Sequence, residues 1–383
     1  MRLFSLLSTS LVATLVAGHP GHDLSKELRE RLDFLANNRN DLSHCAEQMR
    51  ARGLDAINAR RRTQLAEHLM KKRNLEVRDI SNPYNTTHKS SVSYTAQTDL
   101  STVFAGNNSC VLSPEQIEGP YYVAGERVRQ NVTEDQQGVP LTVDIQIVDM
   151  DTCKPIPGAY LEIWHSNATG VYGGVVARGN GVGELDMSNL NNTMLRGVQK
   201  TDDAGAVQFH TIFPGHYIGR TIHIHVAVHL NAQPQPNGTL LDTTAAHVGQ
   251  MYFDQDLIDE IETRAPYTLN TQNKTTNDQD IWLATAAQSS DPFMEYVVLG
   301  KGVDDGLLAW LSFGVNTTLA RQVSAAATFY EDGGVANPNA GMGGFPGGFP
   351  SGFPSGFPTG FPVPPGATPT ASPSPSPTPA QNE

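Results

Sequence analysis

The sequence predicts a mainly β protein: an antiparallel β-sandwich core, led in by a helical N-terminal segment and followed by a disordered Gly/Pro/Ser-rich C-terminal tail. Three observations carry this. From about residue 95 the chain breaks into short runs that alternate apolar with polar residues between Gly, Pro and Asn-Asp clusters. Before that, leucines recur at helical spacing. Beyond Gly344, Gly-Phe-Pro repeats every fourth residue up to Pro362 and gives way to Ser/Thr-Pro alternation, a composition that cannot build a core.

In chain order, residues 1–18 place one Arg before a short apolar run that ends in small residues, the layout of a secretory signal peptide. The run is too short for a membrane span, which needs roughly 20 apolar residues, and nothing later resembles one. Residues 19–90 form the helical segment. Leu24, Leu28, Leu32 and Leu35 suggest one helix, and Leu54, Ile57, Leu65 and Leu69 a second. Residues 23–79 hold 13 of the 26 Lys and Arg, so the remainder of the chain is strongly acidic. The clusters Arg60-Arg61-Arg62 and Lys71-Lys72-Arg73 are of the kind that secretory proteases cut when exposed, so the segment is either a propeptide or an element that packs on the core or on a second subunit.

Residues 91–330 form the β domain. Leu141, Val143, Ile145 and Ile147 alternate with Thr142, Asp144 and Gln146, and Leu161 and Ile163 flank Glu162; runs 207–213, 221–230, 293–299 and 307–315 continue the series. Residues 331–383 form the tail, read as a stalk or spacer whose five phenylalanines offer a weak contact to cell wall or polyphenols. The chain ends without the hydrophobic stretch of a glycolipid anchor signal.

A net charge of −13 argues against nucleic acid or anionic membrane as a partner, since both select basic surfaces. Eight Asn-x-Ser/Thr sites, at Asn85, Asn107, Asn131, Asn167, Asn191, Asn237, Asn273 and Asn316, fit an exported glycoprotein. Three cysteines in an oxidising compartment make one disulfide expected. Cys110 and Cys153 are the chosen pair, because both edge the strand-rich region while Cys45 lies in a segment open to removal.

The sharpest local feature is Arg220-Thr-Ile-His-Ile-His-Val. On a strand, His223 and His225 project from one face and Ile222, Ile224 and Val226 from the other. Two adjacent imidazoles suit zinc, copper or iron alike. Tyr217 stands six residues before His223, and Tyr172 closes the run that begins at Trp164.

Taken together, Gly119-Pro120-Tyr121-Tyr122-Val123, Pro157-Gly158-Ala159 through Trp164-His165, Gly170 and Tyr172, Arg196-Gly197, Thr201-Asp202, Gly205, Pro214-Gly215, Tyr217 and His223-x-His225 resemble the intradiol ring-cleavage dioxygenases. The resemblance covers about residues 105–260 in order and spacing. It implies a non-haem Fe(III) ion held by Tyr172, Tyr217, His223 and His225, phenolate being a hard anionic donor that favours the ferric state. It further implies that Tyr217 serves as ligand and base in turn, that Arg220 steadies charge developing on the substrate ring, and that Gln250 is the polar residue beside the reacting atoms. The expected substrates are a catechol-type diol and O2, the product a muconate-type diacid, and dimerisation would run through the N-terminal helices. Two other readings stand beside it: a copper-dependent polysaccharide monooxygenase whose mature chain begins at His19, and a non-catalytic module that binds wall polymers or phenolics.

Overall fold

The structure, a computed structural model, describes residues 42–75, 109–110, 119–177, 179–182, 186–287 and 290–337. All belong to a compact unit bounded at Gly344. The signal peptide, His19, the Leu24–Leu35 pattern, Asn85, Asn107 and the repeat tail lie outside the described residues.

The principal elements are helices α1 (Ala46–Ala51), α2 (Leu54–Lys72), α3 (Gln255–Glu262) and α4 (Ile281–Ala286), and strands β1 (Pro140–Asp149), β2 (Tyr160–Trp164), β3 (Arg196–Lys200), β4 (Ala206–Ile212), β5 (His223–His229), β6 (His247–Tyr252), β7 (Glu295–Val298), β8 (Leu307–Val315), β9 (Ala327–Tyr330) and β10 (Gly333–Ala336). Two main sheets form the fold. One runs β6-β5-β2-β3, antiparallel throughout; the other joins β8, β1 and β4, with β7 also paired to β8.

The sandwich follows from strand periodicity. Leu141, Val143, Ile145 and Ile147 of β1, Val207 and Phe209 of β4, and Leu307, Ala309, Leu311 and Phe313 of β8 share one buried core with Leu161 and Ile163 of β2 and Ile224, Val226 and Val228 of β5. One expectation is refined: β8 pairs with β1 in parallel, Leu307 opposite Leu141 through Val315 opposite Asp149, so this sheet is mixed. The long excursion through β6, α3 and α4 supplies the crossover that a parallel pair requires.

The outer face of the mixed sheet is covered by α2. Leu65, Ala66, Leu69 and Met70 pack on Val297, Leu299, Leu308 and Trp310, each large aliphatic contributing on the order of 1.5–3 kcal/mol on burial. Polar positions on the same helix face meet the polar side of β1. Asn58 donates to Gln146 Oε1 at 2.7 Å, and Arg61 grips Asp144 through Nε and Nη2 at 2.8 and 2.7 Å. Burial pushes the Asp144 carboxyl up, but Arg61 and Arg62 outweigh it and hold it below the usual range. These contacts correct two expectations. Ile57 is exposed, because Asn58 and Arg62 take the buried positions. The Arg60–Arg62 cluster is not an exposed protease site, since Arg62 is fully buried and Arg61 is paired to Asp144.

The disulfide also differs from expectation. Cys45 bonds to Cys153, with Cα atoms 5.2 Å apart, so Cys110 is not its partner. Docking of α1 brings Cys45 into a buried cluster with Met49, Val148, Met150 and Cys153, whereas Ser109–Cys110 runs beside β8 in register with Ser312 and Phe313. The bridge ties the helical segment to the β domain. At the other end, β9 and β10 pair as a hairpin and β9 adds Val123–Ala124 of the Tyr121 loop in parallel. The folded domain therefore extends to residue 337, past the boundary expected at 330, because Gly333 and Gly334 let β10 lie against Leu190 and Asn191.

Candidate active site and metal centre

Strand alternation that sends Ile224, Val226 and Val228 into the core sends His223, His225 and His229 to the opposite face of the antiparallel sheet, with Trp164 and Glu162 of β2 and Gln250 and Tyr252 of β6. That face is sealed by loops carrying Tyr121, Tyr122, Tyr172, Val175 and Tyr217, all buried. The structure therefore brings Tyr172, Tyr217, His223 and His225 together. Tyr217 Oη lies 3.4 Å from His223 Nε2, which lies 3.1 Å from His225 Nε2. The Tyr172 ring meets that of Tyr217 edge-on at 5.4 Å and that of His225 at 6.1 Å.

Tautomer and ring orientation are fixed by the surroundings. His223 Nδ1 lies 2.7 Å from the Thr221 carbonyl oxygen, which can only accept, so the proton sits on Nδ1 and Nε2 presents its lone pair inward. Trp164 stacks flat on His225, at 4.7 Å and 4°. Burial, then Arg220 and His225, hold the His223 imidazole well below its ordinary range. Burial, then Tyr217, raise the Tyr172 phenol well above its own. Its Oη is buried with no hydrogen-bond partner among the described residues. A buried phenol oxygen with no hydrogen-bond partner among the described residues, beside two imidazole nitrogens in close approach, fits a cation that replaces the phenol proton and accepts the imidazole lone pairs.

Two loops hold the tyrosines. Asn180 accepts from Tyr172 N at 2.7 Å and donates to Tyr172 O at 2.9 Å, and Asn189 donates to the same carbonyl at 2.9 Å. These asparagines lie between residues 173 and 192, a stretch rich in glycine and asparagine. Gly170 has φ +78°, and a Cβ there would overlap the His216 carbonyl oxygen, so only glycine lets the Tyr172 and Tyr217 loops touch. Gly219, at φ +82°, closes the turn in which Arg220 N donates to Tyr217 O at 3.3 Å, so one turn places both side chains. His216 bridges Glu262 and the Gln272 carbonyl; burial lowers its pKa, but the Glu262 bond outweighs this and raises it.

Arg220 is fully buried beside this centre. Its Nε donates to Asp280 Oδ2 at 2.9 Å and its Nη2 to Gln250 Oε1 at 2.6 Å and Tyr252 Oη at 3.1 Å. Asp280 caps α4, accepting from Trp282 N and Leu283 N, and no local motif distinguished it or Tyr252 as part of the site. Gln250 stands opposite His225 in the β5–β6 register, and residues 230–246 connect the two strands without disturbing their pairing. His44, Cys45 and Cys153 also cluster, but the two thiols are consumed by their disulfide.

A family model described as Dioxygenase matches residues 117–281. The intradiol ring-cleavage dioxygenase from Tetranychus urticae is 33% identical over 54% of this chain and 95% of that one, with a TM-score of 0.44. The chain belongs to the intradiol ring-cleavage dioxygenase family. Among curated relatives in this dioxygenase family, catechol 1,2-dioxygenase 1 of Acinetobacter lwoffii is 34% identical over 110 residues, 27% of this chain and 32% of that one. The catechol 1,2-dioxygenase of Acinetobacter baylyi is 36% identical over a stretch of the same length and coverage. The chain thus spans about a third of the length of the curated relatives it matches. The dioxygenase match contains every residue of the centre from Tyr121 to Asp280 and excludes α1, α2, β7 and β8.

Proposed function

We infer that this chain is an exported, ferric intradiol dioxygenase that opens catechol-type rings with O2 to give muconate-type diacids. The observation that carries this is the convergence of Tyr172, Tyr217, His223 and His225 in one buried cluster, with Arg220 and Gln250 alongside. Two phenolates and two neutral imidazoles supply two negative charges to a +3 ion, a donor set that favours ferric iron over zinc or ferrous iron. Bound there, the ion would supply Lewis acidity and the electron transfer that makes a chelated diol reactive towards O2.

The chain's own residues do the rest. Tyr217, at the edge of the cluster and on a turn, takes a catechol proton at Oη and returns it later, acting as a base. His223 and His225 stay neutral and fixed, one by the Thr221 carbonyl and the other by the face of Trp164. Arg220 directs a guanidinium, already oriented by Asp280 and Gln250, towards negative charge developing on the ring. Tyr121 packs on both tyrosines, at 4.7 and 5.5 Å, and helps exclude water. A neutral phenol needs no steering, so the net charge of −13 is compatible with this substrate class.

Export is supported by the N-terminal apolar run, the Asn-x-Ser/Thr sites and the Cys45–Cys153 bridge, which belongs to an oxidising compartment. Of those sites, Asn131, Asn191, Asn237 and Asn273 are exposed, whereas Asn167 Oδ1 accepts from Thr169 and Val171 within the Tyr172 loop. The deciding experiment is purification of secreted protein with iron analysis, a visible spectrum before and after anaerobic catechol, and product identification across a panel of diols. A colourless preparation that stays inactive after ferric loading ends the reading.

A further inference from the structure

The dioxygenase reading leaves Arg196 without a part, although it is 1% exposed and lies directly against the centre. It stands on β3 opposite Trp164, and its guanidinium carbon sits 5.8 Å from the centroid of the Tyr172 ring. Its Nε donates to the carbonyl of Gly173, the residue after Tyr172, at 2.7 Å. Its Nη2 donates at 2.6 Å to the carbonyl of Tyr121, whose ring stacks on Tyr172 from 4.7 Å. One planar side chain thus grips the backbone next to Tyr172 and the backbone of the ring that packs on Tyr172, while its charge lies over the Tyr172 ring.

Charge accounting sharpens this. Arg220, the other buried cation of the site, is balanced by Asp280 at 2.9 Å. The nearest carboxylate oxygen to Arg196 is Glu126 Oε1, at 3.8 Å from Nε and without a hydrogen-bond partner among the described residues, and burial pushes that carboxyl up to about 8. Arg196 Nη1 likewise has no hydrogen-bond partner there. A buried guanidinium so weakly compensated is costly unless a further anion lies close. In the ferric reading the Tyr172 phenolate is that anion, its ring centroid 5.8 Å from the guanidinium carbon.

We propose that Arg196 is the positioning residue of Tyr172, fixing its ring through Gly173 and Tyr121 and stabilising negative charge on its oxygen. This rests on the ferric reading above. A cation beside the donor phenolate lowers the energy of its electrons, so taking it away moves the tyrosinate-to-iron charge-transfer band to longer wavelength. Losing an orienting partner just outside the ligand set also weakens metal binding, typically by about 10–100-fold.

The test uses full-length ferric protein, anaerobic and substrate-free, as wild type, Arg196→Met and Arg196→Lys. Arg196→Met is expected to shift the band to longer wavelength and to lower iron affinity by about 10–100-fold. Arg196→Lys keeps the charge but loses the two-pronged grip, so a smaller shift in the same direction with reduced iron occupancy is expected; it decides the matter if the Met variant does not fold. A band unmoved in the folded variants, with full iron occupancy and only a lower Tm, overturns the proposal and makes Arg196 structural. Wild-type protein that binds no iron and shows no band overturns the ferric reading first, an outcome distinct from an unmoved band.

Discussion

Arg220 Nη2 donates to Gln250 Oε1 across 2.6 Å, and the two residues come from a tight turn and from the strand that pairs with the histidine strand. The bond aims a guanidinium whose other side is held by Asp280, and Gln250 keeps its amide nitrogen free of any hydrogen-bond partner among the described residues. Gln250→Ala should therefore lower kcat/KM about 10–100-fold with iron content unchanged, by freeing Arg220. Arg220→Ala should cost about 100–1,000-fold, the scale for removing one preorganised donor. Asp280→Asn should destabilise the fold by about 3–5 kcal/mol, because it strands a buried cation. Steady-state kinetics with metal analysis, and denaturant melts for Asp280→Asn, check all three; equal activity in the first two refutes the role assigned to the pair.

The four candidate ligands should separate by function. His225→Ala removes a nitrogen donor under the Trp164 face and should lose iron itself. Tyr217→Phe removes a phenol that is ligand and base in turn, so both colour and turnover should change. Iron stoichiometry and visible spectra of the purified variants suffice, and spectra identical to wild type in both would mean the assignment is wrong.

The Cys45–Cys153 bridge closes a sequence separation of 108 residues. Cys45→Ser should cost about 2–5 kcal/mol, with loosening of α1 and α2 seen as faster hydrogen exchange across residues 46–72. Cys110→Ser should leave the bridge in place. Non-reduced peptide mapping reads the connectivity directly, and a peptide pair joining Cys110 to Cys153 would contradict the structure.

Acid should weaken the protein through buried neutral histidines. Burial lowers His165 to about 4 and His247 to about 3. Between these values and about 6.5 the unfolded chain binds protons that the folded one does not, so stability is lost as pH falls through that window. His165 alone accounts for about 3 kcal/mol. Its Nδ1 donates to Ser166 O and its Nε2 accepts from the Thr211 hydroxyl, and the second of these bonds exists only with the neutral ring. Denaturant melts at pH 7 and pH 5 on wild type and His165→Gln should show a smaller loss in the variant.

Much of this was legible in the chain. Strand periodicity gave β1, β2, β4, β5 and β8 and assigned His223 and His225 to one face, because side-chain direction on a strand depends only on parity. The ordered motifs from Gly119 to His225 carried the family resemblance, and the four ligand candidates do converge. Asp280, Tyr252, Asn180 and Asn189 were not legible, since a lone acid, phenol or amide carries no local signal of what it will meet.

What the sequence determined by itself was therefore local: which residues alternate, where helices and strands begin, and which donors stand two or six residues apart. Only tertiary structure decided the partners. Cys153 chose Cys45 over Cys110 because packing of α1, not distance along the chain, sets which sulfurs meet. The half-buried Arg61 and the fully buried Arg62 became ion-pair partners of Asp144 instead of an exposed protease site, because one face of α2 covers the polar side of β1. Arg196 came to rest beside Tyr172 by the same rule: pairing between β2 and β3 and the fold of the Tyr172 loop place two groups together that are 24 positions apart in the chain.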